Sequence, residues 1–356
     1  MSQARIGNHT IGDGAHCFIT FEVGPTHNGL TSALELVRQA GAAGADAVKF
    51  QIIDADRLVA DRQQLFSYEV LLDRISGKRE TVREPLYEIL KRRELKPEEW
   101  RQVRAAADAA NLAFCATVSF LEDLELLTAL GAHSVKIASS DINHLPLIRA
   151  AARTGMNVQI DTGNATLGEV EAAVGAIVAE GNDNIVIHQC PSGYPAHLPS
   201  IQLRMIPTLK RMFPFPAAFS DHTPGWEMDI AAVAVGADLV EKTITLDRCT
   251  RSVEHMFSLE GDELAAFVHA IRNLETALGE PRRRFSAEER HKRQATRRSI
   301  FLVRDKHTGE RIEEADLDFR RPGYGIPPTE LDRVIGLQVA RDLSAGTMLS
   351  WTDVCT

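Results

Sequence analysis

The feature that most constrains the fold is a regular alternation of short β-type runs with amphipathic helical runs along most of the chain. Helical stretches rich in Ala, Leu and Glu separate most of the runs, and glycines stand where several helices should end. About eight β/α units in a row predict a parallel sheet closed into a (β/α)8, or TIM, barrel. An open doubly wound sheet is the alternative, but no GxGxxG motif follows the first run to support it. The candidate strands are residues 17–22, 47–51, 112–116, 134–137, 157–161, 184–188, 217–220 and 239–243.

The chain is long enough for a second, smaller domain. It has 356 residues, and a barrel typically takes about 250. We predict a barrel over residues 1–280, a linker over 281–298 and a small α+β domain over 299–356, where the pattern changes to short strand-like pieces and turns. The linker is basic, and we interpret it as a solvated connector rather than a nucleic-acid surface. Residues 54–97 form a long insertion that either covers part of the barrel mouth or is merely solvated.

Composition limits which partners and which cellular compartment we expect for this protein. A net charge of −9 argues against nucleic acid as the main partner. We expect no membrane association, because no stretch reaches the length of a membrane span and the N-terminus lacks an apolar signal core. The five cysteines are an odd number without a CxxC pair. We therefore expect no disulfide framework and a cytoplasmic location.

Polar and charged residues stand at nearly every candidate strand end, where the working residues of a barrel lie. Burying them without a ligand or partner would be costly, so together they predict an active site. Two lysines and nearby hydroxyls suit a phosphorylated or carboxylated substrate, although an ion pair with a carboxylate such as Glu22 is the alternative for each lysine. These residues are Glu22, His27, Lys49, Gln51, Thr117, Lys136, Ser139, Asp161, His188, Ser192, Tyr194, Ser220, Asp221, His222, Glu241, Lys242 and Thr243.

The motifs around these residues resemble the N-acetylneuraminate (sialic acid) synthase family. They are FEVGPTHNG, GADAVKFQ, LYEILKRREL, VKIASSD, HQCPSGYP, FSDHTPG, LVEKTITLDR and EHMFSLEGDEL, in matching order and spacing. The tail motifs RRSIFLVRD, DLDFRRPGYGIPP and IGLQVARDLSAGTML resemble the antifreeze-like (SAF) domain of that family. The resemblance covers nearly the whole chain and implies a TIM barrel followed by a small SAF domain.

The resemblance also implies a reaction. Family members condense phosphoenolpyruvate with the open-chain aldehyde of an N-acyl hexosamine: C3 attacks the aldehyde carbon, water adds at C2 and phosphate leaves, giving a 2-keto-3-deoxy sugar acid. A divalent metal, Mn²⁺ or Mg²⁺, polarises the aldehyde. Family members are typically domain-swapped homodimers, which would bring Arg321 of one chain to the active site of the other.

The residue roles follow from the matching motifs. The resemblance implies catalytic roles for Glu22, Lys49, His222 and Glu254, with His222 as one metal ligand. It implies substrate contacts by Thr117, Lys136, Ser139, Asp161, Ser192, Tyr194, Ser220 and Arg321.

Four departures from the family pattern cluster at this site. Thr243 replaces the second metal histidine, and a hydroxyl is a poorer ligand than imidazole. Asp161 stands where a small hydroxyl usually helps to hold the enolpyruvate, and a carboxylate would repel a phosphate. Thr26 replaces an asparagine, and Glu254 precedes His255 in place of the usual aspartate.

Three functions remain open from the sequence. The first is the family reaction with phosphoenolpyruvate and a sugar aldehyde. The second is a lyase or transferase that uses another phosphorylated or carboxylated donor, possibly without metal, which Asp161 and Thr243 favour. The third is a sugar-acid binding protein without catalysis. Because Glu22, Lys49, Lys136 and His222 are retained, we favour altered substrate or metal use over loss of catalysis.

Overall fold

The structure is a computed structural model that describes residues 2–356. It divides into two compact units, one ending at Gly279 and one beginning at Glu280. The strands are β1 (Gln3–Ile6), β2 (His9–Gly12), β3 (Phe18–Glu22), β4 (Ala47–Gln51), β5 (Leu65–Leu71), β6 (Arg79–Pro85), β7 (Ala113–Val118), β8 (Ser134–Ile137), β9 (Asn157–Asp161), β10 (Ile185–Gln189), β11 (Ala217–Asp221), β12 (Leu239–Thr245), β13 (Leu259–Glu260), β14 (Ser299–Leu302), β15 (Leu317–Arg320), β16 (Gln338–Val339) and β17 (Val354–Cys355). The α-helices are α1 (Leu30–Ala43), α2 (Ala55–Leu58), α3 (Leu86–Lys91), α4 (Pro97–Ala109), α5 (Leu121–Ala129), α6 (Leu145–Arg153), α7 (Leu167–Ala179), α8 (Leu198–Ile201), α9 (Met205–Met212), α10 (Glu227–Ala234), α11 (Glu263–Leu278), α12 (Ala287–Thr296) and α13 (Leu331–Val334).

The first unit is a closed parallel barrel, as predicted. Eight strands pair in the order β3, β4, β7, β8, β9, β10, β11 and β12, and β12 pairs again with β3 to close the ring. Strands such as β3, β9 and β10 are buried along their whole length, because helices cover the outside and side chains fill the inside. The barrel strands begin and end within two residues of the predicted bounds.

Local sequence explains where the covering helices begin and end. Helix α7 begins after Thr166, whose hydroxyl accepts from the Glu169 amide while the Glu169 carboxylate accepts from the Thr166 amide. Helix α1 ends at Gly44, whose φ of 83° lies in the left-handed region that favours glycine. Signals of this kind determine where a helix begins or ends, and therefore where the neighbouring strand and its polar residues lie.

The insertion over residues 54–97 contains structure that the sequence did not predict. Strands β5 and β6 form an antiparallel hairpin, which α3 follows. Tyr68, Val70, Val82 and Ile89 pack with Val253 into a small apolar cluster of their own. A second unpredicted hairpin, β1–β2, precedes the barrel; its strands of four residues are too short to show a clear period in the sequence.

The second unit is small and mixed α+β. Strand β14 pairs with β15, and β16 pairs with β17, both antiparallel. Its core contains Ile300, Leu302, Ile312, Ile326, Val334, Val339, Leu343 and Leu349. The segment that we interpreted as a linker contains α12, a helix without a buried residue. No helix among residues 2–356 combines the length and apolar character that crossing a bilayer requires.

Candidate active site

A cavity of about 540 Å³ opens at the carboxyl ends of the barrel strands. Glu22 and Asp161 are the last residues of β3 and β9, and Lys49, Thr117 and Glu241 lie on β4, β7 and β12. All five line the cavity. The parallel register explains this convergence, because the ends of adjacent strands meet at one rim of the barrel.

Two lysines and three carboxylates form a continuous charge network, which we define as Glu22, Lys49, Lys136, Asp161 and Glu241. Of these, Lys136 is buried behind the residues that line the cavity. Lys49 Nζ pairs with Glu22 Oε2 and lies 3.3 Å from Glu241 Oε1. Lys136 Nζ lies 2.7 and 2.8 Å from the two oxygens of Glu241 and 2.9 Å from Asp161 Oδ1. Glu241 therefore bridges both lysines.

Burial and the close ion pairs shift the pKa values of all five residues in this network. Burial alone would raise the pKa of Glu241, but Lys136 and Lys49 hold it well below its usual range. Burial raises the pKa of Glu22 and of Asp161 despite their lysine partners. The carboxylates in turn raise the pKa of both lysines above its usual value, against the effect of burial. Both lysines are therefore ammonium cations, and the network can take up an extra proton at Glu22 or Asp161.

The lysines thus realise the ion pairs that we considered as the alternative to anion binding. Neither ammonium is free, so an anionic ligand would have to compete with, or join, the carboxylates already present. Neutral hydrogen-bonding groups surround the network: Ser220 Oγ donates to Glu241 Oε1 over 2.9 Å, and Lys49 Nζ lies 3.4 Å from Thr117 Oγ1.

His222 lines the same cavity in a mostly aromatic setting. Its ring centroid lies 4.6 Å from that of Tyr194 and 6.2 Å from that of Phe257. Burial lowers its pKa to about 4, and its Nδ1 lies 3.3 Å from the Pro191 carbonyl oxygen. The neutral ring therefore keeps Nε2 available as an acceptor or ligand.

Around His222, the described residues provide too few ligands to hold a metal ion without help from a substrate. The pairing of Asp221 with Lys242 makes Thr243 the residue opposite His222 on the adjacent strand, where a second imidazole would stand. Among residues 2–356, no group of three His, Cys, Asp or Glu donors gathers around His222. One imidazole and one hydroxyl form a weak donor set for a divalent transition metal.

One acidic group with metal-like spacing lies elsewhere, formed by Asp54, Asp56 and Glu94. Its oxygens are already engaged. Asp56 accepts from Tyr87 over 3.0 Å and from Lys91 over 2.8 Å, and Glu94 pairs with the same lysine over 2.8 Å. This group is a surface ion-pair network within the insertion.

Glu254 faces the cavity from the segment after β12. Its φ of 71° is left-handed, which is uncommon for a residue other than glycine and often marks a functional position. Burial raises the pKa of its carboxyl to about 8, so the group is protonated at neutral pH. It can therefore donate a hydrogen bond or a proton to a bound ligand.

The remaining predicted residues are divided between the cavity and other places. Ser139 and Tyr194 line the cavity. Ser192 is exposed outside the lining, and its Oγ lies 2.8 Å from the Gly163 carbonyl oxygen. Arg321 is an exposed residue of the second unit.

Sequence reasoning missed Arg93 and the apolar wall beside it. Arg93 is buried and lines the cavity. No sequence signal distinguishes it from the adjacent Arg92, which is exposed. The wall comes from the insertion and the segment after β12, and its members are Leu58, Phe66, Leu86, Ile89, Leu90 and Val253.

Comparisons with known proteins identify the family of this chain. A model of the NeuB family matches residues 36–283, and a model of the SAF domain matches residues 297–354. The N,N'-diacetyllegionaminic acid synthase of Legionella pneumophila is 35% identical over 96% of this chain and 96% of its own length.

Solved structures with a similar fold include two proteins of carbohydrate biosynthesis. The N-acetylneuraminic acid synthetase of Leptospira borgpetersenii, in complex with citrate, superposes with a TM-score of 0.70 at 28% identity, covering 82% of this chain and 96% of that one. The spore coat polysaccharide biosynthesis protein SpsE of Bacillus subtilis superposes with a TM-score of 0.66 at 31% identity, covering 100% and 99%.

Proposed function

The chain belongs to the NeuB family, and on that premise we propose that it condenses phosphoenolpyruvate with a sugar aldehyde. The products would be a 2-keto-3-deoxy sugar acid, an ulosonic acid, and phosphate. Relatives that match nearly the full length are named as synthases of legionaminic and pseudaminic acids, which supports a sugar-acid product. These matches cover 96% and 94% of this chain.

The observation that carries the proposal is the buried charge network, of which Lys49 and the three carboxylates line the cavity. Three carboxylates keep Lys49 and Lys136 charged, so these lysines are suited to act as cations and not as amine nucleophiles. That argues against a covalent imine route for carbonyl chemistry in this barrel. It supports a reaction in which fixed cations hold a donor that carries phosphate and carboxylate groups.

The chemistry balances with groups that the cavity provides. C3 of the enolpyruvate forms a bond to the aldehyde carbon, and the aldehyde oxygen takes a proton. Water then adds at C2, and the C2–O bond to phosphate breaks. Glu254, protonated at neutral pH, is suited to donate the proton to the aldehyde oxygen. Glu22, whose pKa burial raises, is suited to accept a proton from the attacking water. No step is assigned to a metal, because the donor set at His222 does not fit one.

Asp161 should change how the donor binds, because it stands where the family usually has a small hydroxyl. Its carboxylate neutralises Lys136 at 2.9 Å. An incoming anion would bind best when Asp161 is protonated, and burial already raises its pKa. We therefore expect donor affinity to fall as the pH rises through the Asp161 pKa.

The same ion pair favours a second candidate, a lyase or transferase with a different phosphorylated or carboxylated donor. If Lys136 stays paired with Asp161, fewer positive charges remain for phosphoenolpyruvate. A thermal-shift panel separates the two candidates: stabilisation by another anion and none by phosphoenolpyruvate would select the second.

We also propose the finer properties that the family resemblance implies for substrate contacts, assembly and location. Tyr194, Ser139 and Ser220, which line the cavity, would contact substrate. A domain-swapped homodimer would bring Arg321 of a partner to the cavity. The protein would act in the cytoplasm on small molecules.

Phosphate release tests the proposal. We expect wild-type protein to release phosphate only when phosphoenolpyruvate and an aldehyde such as N-acetylmannosamine or a diacetamido hexose are both present. Lys49→Met should reduce the rate by at least about 100-fold, since it removes a buried cation. Lys91→Met is the matched control, because this lysine also pairs with two carboxylates but is 39% exposed on the insertion. No phosphate from wild type across a broad aldehyde panel would reject the proposal.

A further inference from the structure

Arg93 has an unusual combination of burial and missing partners. It is 3% exposed and lines the cavity. Its Nη2 donates to Ser252 Oγ over 3.1 Å, and no carboxylate among residues 2–356 lies within 4.0 Å of its guanidinium. The neighbouring Arg92 is instead exposed and pairs twice with Glu84, at 2.7 and 3.0 Å.

A guanidinium has five N–H donors, and burying it without partners is costly. Arg93 uses one side-chain donor on a protein atom. Because Arg93 lines the cavity, a bound ligand can accept from the donors that remain. The structure therefore holds a preformed donor group that the barrel itself does not satisfy.

The surroundings of Arg93 indicate what the ligand group should be. Ile89, Leu90 and Val253 present apolar surface beside it, and Glu254 adds a carboxyl group at the same end of the cavity. The charge of Arg93 lowers the pKa of Glu254 against the larger effect of burial, so the two groups are electrostatically coupled. Because Glu254 is protonated at neutral pH, it forms hydrogen bonds without adding a charge. The apolar wall suits a ligand group that combines polar atoms with an apolar end.

An acetamido group has these three features. Its carbonyl oxygen accepts from a guanidinium, its N–H donates to a carboxyl oxygen, and its methyl group packs on aliphatic side chains. We infer that Arg93 is a specificity-determining residue that binds the acyl carbonyl of an acetamido group on the acceptor sugar. This inference rests on the proposed function and names the feature of the acceptor that the site selects.

The test compares two acceptors that differ only at C2, N-acetylmannosamine with an acetamido group and mannose with a hydroxyl. Arg93→Met removes the guanidinium and keeps an unbranched apolar chain in apolar surroundings. We expect kcat/KM for N-acetylmannosamine to fall about tenfold or more, and that for mannose to change less than about threefold. The KM for phosphoenolpyruvate should not change. Arg93→Lys, which keeps the charge without the planar fork, should lie between wild type and Arg93→Met.

Arg92→Met is the matched control and should behave as wild type with both sugars. Equal losses with the two sugars, or a change confined to the KM for phosphoenolpyruvate, would overturn the inference. Melting temperatures of all variants separate a folding defect from a binding defect.

A failure of the proposed function gives a different result. If wild type releases no phosphate with either sugar, the subsite is judged by calorimetric titration with N-acetylmannosamine. Binding that Arg93→Met weakens about tenfold or more supports the subsite without the reaction. Equal affinities, or no binding by wild type, overturn it.

Discussion

Replacing Lys136 with methionine should destabilise the protein, because it leaves buried carboxylates of the charge network without their cation. Lys136 is 1% exposed, contacts both oxygens of Glu241 at 2.7 and 2.8 Å, and lies 2.9 Å from Asp161. Without it, three buried carboxylates share Lys49 as their cation within the charge network. Removing one partner of a buried ion pair typically costs about 3–5 kcal/mol, because the other charge is left uncompensated. For a barrel of this size, that corresponds to a fall in Tm of roughly 6–15 °C.

The pH dependence of this loss is a sharper test than its size. Without Lys136, the folded-state pKa of Asp161 rises further above its unfolded value. The folded form then retains a proton that the unfolded form releases, so stability is kept below the unfolded pKa and is lost as the pH rises through the folded pKa. The Tm difference between wild type and Lys136→Met should therefore be small near pH 5 and large near pH 8.

Differential scanning calorimetry at both pH values measures the effect. Adding Asp161→Asn to Lys136→Met should recover part of the lost Tm at pH 8, because it removes one uncompensated carboxylate. Lys91→Met, which breaks exposed ion pairs, should change Tm far less than Lys136→Met does, because exposed pairs contribute little to stability. A Lys136→Met loss that is no larger than that of Lys91→Met, or that does not grow with pH, would refute the reasoning.

Three further changes test other parts of the site. Asp161→Asn removes one of the two carboxylates paired with Lys136 and leaves Glu241, so the KM for phosphoenolpyruvate in a phosphate-release assay should fall about tenfold; an unchanged or higher KM would contradict the role given to Asp161. Thr243→His places a second imidazole opposite His222 and should raise Mn²⁺ affinity, measured by calorimetric titration, about tenfold or more; wild type that binds Mn²⁺ equally tightly would show that the donor set is stronger than we infer. Burial raises the pKa of Glu254 to about 8, so wild type loses stability as the pH rises from 5 to 8. Glu254→Gln avoids that loss, and its Tm advantage should grow over this range by the equivalent of about 2–4 kcal/mol; a constant Tm difference would place the carboxyl in water.

The sequence was sufficient to predict the barrel and the rim of its cavity. Parallel strands end at one rim, so Glu22, Lys49 and Asp161 could be assigned to a common site without coordinates. Their pairing could not, because which ammonium meets which carboxylate depends on side-chain directions across the barrel interior. The ion pairs with both lysines were considered and turned out to be the arrangement present.

The apolar side of the cavity could not be predicted from the sequence. Arg92 and Arg93 occur in the same charged run, yet one is exposed and the other is buried. The difference arises from long-range packing of the insertion against the segment that contains Ser252, whose hydroxyl accepts from Arg93. Local pattern does not encode such a contact between residues far apart in the chain.

Isotopic labelling of the donor tests the central claim most directly. Phosphoenolpyruvate with ¹⁸O in the oxygen that bridges C2 and phosphorus is incubated with wild-type protein and N-acetylmannosamine or a diacetamido hexose, and mass spectrometry follows both products. The account predicts that phosphate carries the ¹⁸O, that a 2-keto acid three carbons longer than the sugar forms in equal amount, and that neither appears without the aldehyde. Unlabelled phosphate, or phosphate released without the aldehyde, would contradict it.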